Sequence, residues 1–402
     1  MHGDFIFTSS SATAGHPDKL CDQISDAIVD RFLQQDAFAR VSAECAVSKT
    51  ILFIALRFSS RAVVDVTTVA RQAIARAGYD GNGFDAKDCT IVTSITEAPA
   101  DLGAGIDERT LSDADLDRIA ASHQVSVFGF ACTQTAALMP LPIWLAHKIA
   151  RRLSAARLSR GLAYLSPDGQ AQVAVEYRAG HPHRIHSVNV VAALKPQIAP
   201  NANKLRDDIA REIVEPAFRD ESLRPDRSTA LFINAGGPVL IGGPEVHSGL
   251  TGRKTGMDTY GEYARHSGAA LSGKDPGRID RIGAYIARYA AKNIVAAGLA
   301  EECEVQISYS IGQAQPVSVR VDTFGTGRLS EADIAARLKR AIDFRVGAIV
   351  ARFKLRELPA QIKAGFFTRL AAYGQVGRMD IGLPWEMVDC AADMAGADAR
   401  RA

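Results

Sequence analysis

The chain has 402 residues, of which 47% are hydrophobic and 23% charged, and its formal net charge is +2. This length predicts two or three compact units, and the composition is that of a globular protein with a sizeable core. A charge balance so close to neutral gives no general attraction to nucleic acid or to an anionic membrane, so we expect neither as a partner.

Membrane-spanning and secretory segments are not visible in the sequence. No apolar stretch approaches the roughly 18 residues that would suggest a span. Residues 1–11 lack the basic region and apolar core of a secretory signal. The six cysteines are widely scattered without a CxxC pair, which favours reduced thiols and a cytoplasmic location.

The predicted elements follow the same order three times: a helix, a β-hairpin and a second helix. The leading helices are predicted at 18–33, 141–158 and 280–297. The hairpins are predicted at 41–58, 172–194 and 303–321. The helices that follow them are predicted at about 62–77, from 205 to 213, and after Ser330, a residue type that favours a helix N-cap.

The first strands of the hairpins begin at 41, 172 and 303, so consecutive units lie 131 residues apart. This repeat predicts an α+β fold of three similar units with mainly antiparallel sheets, packed around a pseudo-threefold axis. The alternative is chance spacing, since helices and hairpins are common. We place the units at 4–103, 119–234 and 235–375, followed by a C-terminal tail at 376–402.

The first candidate site lies where the first helix begins. His16, Pro17 and Asp18 come directly before an amphipathic pattern. Proline suits the first helical turn. Asp18 lies where the helix dipole favours an anion and where a hard cation can be reached. His16 lies just outside the helix and is free to meet a ligand; the alternative is an ordinary capping cluster.

The second candidate is the basic, glycine-rich region from 249 to 280. It contains Arg253, Lys254, Lys274 and Arg278. Glycines let backbone N–H groups approach phosphates and the cations neutralise them, although the GxxxxGK[ST] pattern of a P-loop is absent. The pattern therefore predicts a site for an extended polyphosphate, with a solvated basic loop as the alternative.

Three further charged residues are candidates for binding an ion or a ligand. Asp280 opens the third leading helix as Asp18 opens the first, and two carboxylates near a polyphosphate form a natural Mg²⁺ site. Glu44 lies in a predicted strand, where it is either a cation ligand or half of an ion pair. Arg57 lies in the next strand, and its partner is either an internal carboxylate or an anionic ligand.

The chain resembles the S-adenosylmethionine synthase (methionine adenosyltransferase) family along nearly its whole length, in the family's order. The matching segments are 15–19, 242–244, 249–254, 258–261, 272–275, 291–299, 371–374 and 384–386. The resemblance implies a homodimer or dimer of dimers with the site between subunits. It also implies attack of the methionine sulfur on the 5′ carbon of ATP, which expels triphosphate that is then hydrolysed.

The resemblance also implies roles for individual residues. The catalytic group is His16, Lys274 and Arg253, with His16 assisting the leaving triphosphate. The residues implied to bind ATP and triphosphate are His16, Asp168, Arg253, Lys254, Ala270, Lys274 and Arg278. The metal ligands are Asp18 and Asp280 for Mg²⁺ and Glu44 for K⁺. The pocket for the second substrate is implied to contain Arg57, Ala98, His247 and Arg278.

The chain departs from the family's pattern mainly around the second substrate. The family has Glu at Ser10 and Arg57, Gln at Ala98, Asp at His123 and His247, Lys at Gln170 and Arg278, and Arg-Phe at Pro238 and Val239. Arg57 and His247 thus replace acids suited to an ammonium group. We favour S-adenosylmethionine synthesis; the alternatives are an ATP-using adenosyltransferase or triphosphate-cleaving enzyme with a more anionic second substrate, and a non-catalytic homologue.

The polar segment 101–123 corresponds to the family's mobile gating loop. It contains Gly103 and Gly105. We expect it to be poorly ordered without ligand and to close over the site. The alternative is a stable surface helix over 111–121.

Overall fold

The computed structural model describes residues 3–79, 81, 83–99, 107–108 and 110–395. These residues form an α+β fold of three mainly antiparallel sheets with helices packed on them, as the repeat predicts. The strands are β1 (Phe5–Ala12), β2 (Arg40–Ser48), β3 (Ile51–Ser59), β4 (Thr90–Glu97), β5 (Val125–Cys132), β6 (Leu165–Arg178), β7 (His181–Leu194), β8 (Ala230–Ile233), β9 (Gly249–Leu250), β10 (Glu302–Tyr309) and β11 (Ser318–Asp322).

The helices include the three long ones that lead the repeat units. They are α1 (Pro17–Gln35), α2 (Val66–Ala77), α3 (Asp113–Leu116), α4 (Leu141–Leu158), α5 (Ala202–Ile209), α6 (Glu215–Ala217), α7 (Thr255–Asp258), α8 (Ile279–Ala296), α9 (Glu331–Ala341), α10 (Val346–Arg352), α11 (Leu358–Gln361) and α12 (Ala391–Ala395). A π-helical turn joins α5 to α6. Ser330 caps α9 as predicted, because its side chain accepts from the backbone N–H of Asp333.

Each predicted hairpin lies in a different sheet; the first two form the middle of theirs, and the third forms one side of a three-stranded sheet. The strand orders are β4-β3-β2-β9, β1-β6-β7-β8 and β11-β10-β5. Neighbouring strands are antiparallel except in the pairs β3–β4 and β7–β8. Side chains along a strand alternate between its two faces. Val173, Val175 and Tyr177 therefore share one face of β6, and all three are fully buried in the core.

The three sheets exchange strands in a cycle. β1 precedes the first hairpin but pairs with β6 in the second sheet. β5 precedes the second hairpin but pairs with β10 in the third sheet. β9 precedes the third hairpin and pairs with β2 in the first sheet. This exchange ties the units together and brings the segment after β9 to the start of α1.

The leading helices cover one face of each sheet. α1 packs on β2 and β9, α4 on β1 and β6, and α8 on β5 and β10. The cores of the first and third units merge into one cluster, and the central unit has its own. Trp144 and Tyr263 pack against both. No helix in the described part of the chain is long and apolar enough to cross a membrane.

The other face of the first sheet carries exposed apolar side chains, and we name it the open face. Strand register places Val92, Phe53, Ala46 and Leu250 in one row across β4, β3, β2 and β9. Phe53 is 40% exposed, Val92 46% and Leu250 45%. A row of this kind exposed on a sheet is unusual for a monomer and typical of a surface that another molecule covers.

Candidate active site

The start of α1 holds the first candidate site together. His16 has extended backbone angles and caps the helix, and its Nδ1 accepts from the backbone N–H of Asp18 at 3.2 Å. Neutral His16 in this tautomer carries its proton on Nε2, which is therefore a donor. Pro17 occupies the first turn, so the local prediction for this segment is confirmed.

Asp18 is fully buried and links the start of α1 to the basic loop. Its Oδ1 accepts from the backbone N–H of Leu250 at 3.0 Å and pairs with Arg253 Nε at 2.8 Å. Its Oδ2 lies 3.8 Å from Lys254 Nζ and 3.8 Å from His16 Nδ1, and it has no hydrogen-bond partner. One carboxylate oxygen is thus satisfied while the other is left for a cation.

His16, Asp168 and His247 lie together beside this carboxylate, and we name them the His–Asp–His cluster. His247 Nε2 lies 3.0 Å from Asp168 Oδ2, and the backbone N–H of Gly243 donates to the same oxygen at 2.8 Å. The two imidazole rings have centroids 4.9 Å apart. Potential ligand atoms of all three side chains lie within 4.8 Å of one another.

The members of the His–Asp–His cluster differ in their protonation. Burial lowers the pKa of His16 to about 4, so the ring is neutral at pH 7. The hydrogen bond with Asp168 raises the pKa of His247. Burial opposes ionisation of Asp168, but the hydrogen bonds from His247 and from the Gly243 N–H bring the pKa of this carboxyl below its usual value.

A second group of site residues lies where α8 begins. Lys274 Nζ lies 2.8 Å from Asp280 Oδ2, and His123 Nε2 lies 2.5 Å from the same oxygen. Arg278 is the N-cap residue of α8. Within the described ranges, no hydrogen bond or ion pair joins this group to the one at the start of α1. The structure of one chain therefore brings Asp18 to Arg253 and Lys254, and Asp280 to Lys274.

Sequence reasoning missed a row of buried aspartates along α1. Asp18, Asp22, Asp26 and Asp30 follow one another at four-residue spacing, and none is more than 2% exposed. The signal was in the sequence, because residues four apart share one face of a helix. Buried carboxylates require partners, so this spacing indicates a face that binds other polar segments.

Besides Asp18, which holds Leu250, the other three aspartates of this row also bind backbone N–H groups of the third unit. Asp22 accepts from the backbone N–H of Gly252 and from Lys19, which also bonds Asp258. Asp26 accepts from the N–H of Gly273 and from Arg281. Asp30 accepts from the N–H groups of Phe367 and Thr368. The row thus fixes both glycine-containing turns of the basic loop against α1.

Two glycines allow that close approach. Gly252 has φ +75°, and a Cβ there would lie 2.2 Å from the Cβ of Ala270. Gly273 has φ +79°, and a Cβ there would lie 2.0 Å from the carbonyl oxygen of Ala43. Both positions favour glycine through backbone angle and space. Ala270, implied to bind triphosphate, packs against the turn that carries Arg253.

Glu44 and Arg57 point out of the open face. Both are exposed, and neither forms an ion pair with another described residue. The register pairs Arg57 with Ser42 and Glu44 with Ala55. The sequence left an internal ion pair open as one interpretation of each charge. Among the described residues, neither Glu44 nor Arg57 has such a partner. Ala98 is half-buried just after β4, where its N–H donates to the carbonyl of Phe58.

The other unusual positions lie on the second sheet and near β9. Ser10 accepts from Gln172 across β1 and β6 at 3.2 Å. Gln170 lies opposite Ala12, and Val239 follows Pro238 and pairs with Ala193. All of these residues are uncharged, so none of them supplies any charge that the family has at the same position.

Residues 107, 108 and 110–123 of the expected gating segment are described, whereas 101–106 and 109 lie outside the described residues. Glu108 is buried and accepts from Arg356, while Arg345 binds Asp113 and Asp117. The helix in this segment spans only Asp113–Leu116, shorter than the alternative over 111–121. A cavity of about 440 Å³ has Glu108 and Arg278 in its lining. The segment thus borders a predicted site residue.

Comparisons with known proteins find the same family along nearly the whole chain. Residues 4–100, 118–239 and 241–387 match the sequence models of the N-terminal, central and C-terminal domains of S-adenosylmethionine synthetase. The S-adenosylmethionine synthase of Thermosynechococcus vestitus is 46% identical over 98% of both chains. Those of Gloeothece citriformis and Trichormus variabilis are each 45% identical, over 96% and 97% of this chain and 95% and 96% of theirs.

Proposed function

The chain belongs to the S-adenosylmethionine synthetase family, and we propose that it transfers the adenosyl group of ATP to the sulfur of L-methionine. The sulfur forms a bond to C5′ as the C5′–O bond to triphosphate breaks. Water then cleaves the triphosphate to diphosphate and phosphate. The relatives named S-adenosylmethionine synthase favour this reading over a different second substrate and over a non-catalytic homologue.

The observation that carries the proposal is the group of side chains at the start of α1. Arg253 and Lys254 lie beside Asp18 and provide positive charge for a triphosphate. His16 is neutral and has its Nε2–H available, because Nδ1 is already an acceptor. A neutral donor stabilises the negative charge that develops on the leaving oxygen without the cost of burying a second ion.

Enzymes of this family depend on metal ions, and we propose Mg²⁺ and K⁺ for this chain. Asp18 fits Mg²⁺ because its Oδ2 is a buried anionic acceptor without a hydrogen-bond partner. Asp18 and Asp280 would hold Mg²⁺, which supplies charge neutralisation for the phosphates. Glu44 would hold K⁺; its carboxylate is exposed and unpaired among the described residues.

We also propose that two copies form the complete site, as a homodimer or a dimer of dimers. The two groups of site residues do not contact each other within the described part of one chain. Glu44 and Arg57 lie on the open face beside the apolar row. A second copy on that face would cover the row and bring its own site residues to these charges.

Arg57, Ala98, His247 and Arg278 are our proposed pocket for the second substrate. Lys274 and Arg253 are proposed catalytic residues, with Asp168, Lys254 and Ala270 in the triphosphate site. A cytoplasmic location is also proposed, because all six cysteines are free and buried. Free thiols of this kind are typical of a reducing compartment.

The test is direct turnover. Purified protein is incubated with ATP, Mg²⁺, K⁺ and methionine, and mass spectrometry follows S-adenosylmethionine, diphosphate and orthophosphate. We expect all three products from the unaltered chain. Arg253→Ala should lower kcat at least about a hundredfold, since it removes a charged partner of the transition state.

The matched control is Arg265→Ala. Arg265 lies in the same stretch of chain but pairs with Glu304 away from the site. Its turnover per folded chain should match that of the unaltered protein, because Arg265 contacts no proposed site residue. If the unaltered chain makes no S-adenosylmethionine, or if Arg253→Ala is as active as Arg265→Ala, the proposal is wrong.

A further inference from the structure

The His–Asp–His cluster has the composition of a transition-metal site. Two imidazoles and one carboxylate suit Zn²⁺ and its first-row neighbours, whereas Mg²⁺ prefers oxygen ligands alone. We propose that His16, Asp168 and His247 bind one divalent transition-metal ion, with Zn²⁺ as the representative of this class. This site shares no ligand with the proposed Mg²⁺ site, although it lies beside Asp18. It uses His247, which stands where the family has an acid.

The distances allow one ion to reach all three side chains. Ligand atoms around a tetrahedral ion lie about 3.3 Å apart when each is about 2 Å from the metal. The separation of His247 Nε2 and Asp168 Oδ2 is already 3.0 Å. The ligand atom of His16 lies within 4.8 Å of both. The His16 ring would therefore have to move closer to the other two ligands to complete the site.

Surrounding groups supply the support that metal ligands need. A ligating carboxylate is normally held by a hydrogen bond, and a ligating imidazole donates its other N–H to an acceptor. Gly243 N–H already donates to Asp168 at 2.8 Å. Asp18 Oδ2 is buried without a partner and lies 3.8 Å from His16 Nδ1. Coordination through His16 Nε2 would move the ring proton to Nδ1, so His16 would give up the hydrogen bond from the Asp18 N–H and donate to that free oxygen instead.

The site is also accessible. His247 is 38% exposed, whereas His16 and Asp168 are 3% and 12% exposed, so an ion can enter past His247. Three protein ligands leave at least one position for water or a phosphate oxygen. An ion bound here occupies His16 Nε2, so metal binding and the proposed donation from His16 to the leaving oxygen are alternative states of the same site.

Co²⁺ binding to the metal-free, nucleotide-free protein tests the site independently of adenosyl transfer. Co²⁺ reports histidine and carboxylate ligation through its visible absorption bands, and competition with a chromophoric chelator gives the Zn²⁺ affinity. We expect one ion per chain that a large excess of Mg²⁺ does not displace. His247→Ala and the similarly sized His247→Gln should each weaken binding at least about tenfold.

The matched control is His183→Ala, because His183 is an exposed histidine on β7 outside the cluster. It should bind Co²⁺ as the unaltered chain does. The buried cysteines provide a second check, since thiolate ligation adds an intense near-ultraviolet band. Absence of Co²⁺ binding, equal binding by the His247 variants, displacement by Mg²⁺, or a thiolate band would each overturn the proposal.

Discussion

Burial sets the charge of His16, the residue that caps α1. Its pKa falls to about 4 because the ring loses its hydration, whereas an unfolded histidine titrates near its ordinary value. The folded state therefore stays neutral over a pH range in which the unfolded chain takes up a proton. This stabilisation is present above about pH 6.5 and is lost as the pH falls towards 4.

Replacing His16 with glutamine should remove that pH dependence. From pH 7 to pH 5, the unaltered protein should lose about 2 kcal/mol of stability that His16→Gln does not lose. Urea unfolding at the two pH values measures the difference. His183→Gln is the control, because His183 is an exposed histidine on β7. Parallel losses in the unaltered protein and His16→Gln would show that the ring is not held neutral.

At the scale of elements, α1 organises the basic loop through its row of aspartates. Arg281 and Asp26 are both 0% exposed and form two short contacts of 2.6 and 2.7 Å. Arg281 also donates to the carbonyl of Lys274. The ion pair therefore connects the middle of α1 to the turn that carries a proposed catalytic lysine.

The change Asp26→Asn should destabilise the protein strongly. It keeps the shape of the side chain but leaves the Arg281 charge buried without its counterion, a change that typically costs about 3–5 kcal/mol. Chemical denaturation measures the loss. Asp207→Asn on α5 is the control, since Asp207 is exposed. A loss below about 1 kcal/mol for Asp26→Asn would contradict the structural role of this pair.

At the scale of the whole molecule, the open face is the surface that a second copy is proposed to cover. Phe53→Glu introduces a charge into its apolar row and should prevent association. Light scattering after size exclusion should then show a single chain, and adenosyl transfer should fall at least about tenfold, because the proposed site is formed by two copies.

Ile198→Glu is the control for surface charge. Ile198 is 54% exposed but lies beyond β7, outside the open face. It should leave both mass and activity unchanged. Wild-type mass and turnover in Phe53→Glu would mean that the open face is not the interface.

The repeat of helix, hairpin and helix could be predicted because it depends on short-range patterns. The prediction of α4 over 141–158 matches the structure, and the first and third hairpins agree with the observed strands to within a residue, whereas β6 of the second begins at Leu165 rather than at 172. The added strands β1, β5 and β9 were not predicted. β9 has only two residues and no periodicity of its own, and its place depends on pairing with β2.

In the candidate site, too, local features could be predicted from the sequence, whereas long-range contacts could not. Composition and spacing were enough to select His16, Asp18, the basic loop and Asp280 as candidates, because helix starts and glycine-rich turns are local features. Only the tertiary structure decided that Asp18 pairs with Arg253, that Asp280 pairs with Lys274, and that His247 contacts Asp168. These contacts join residues that the exchange of strands between sheets brings together, and local periodicity carries no information about such long-range pairing.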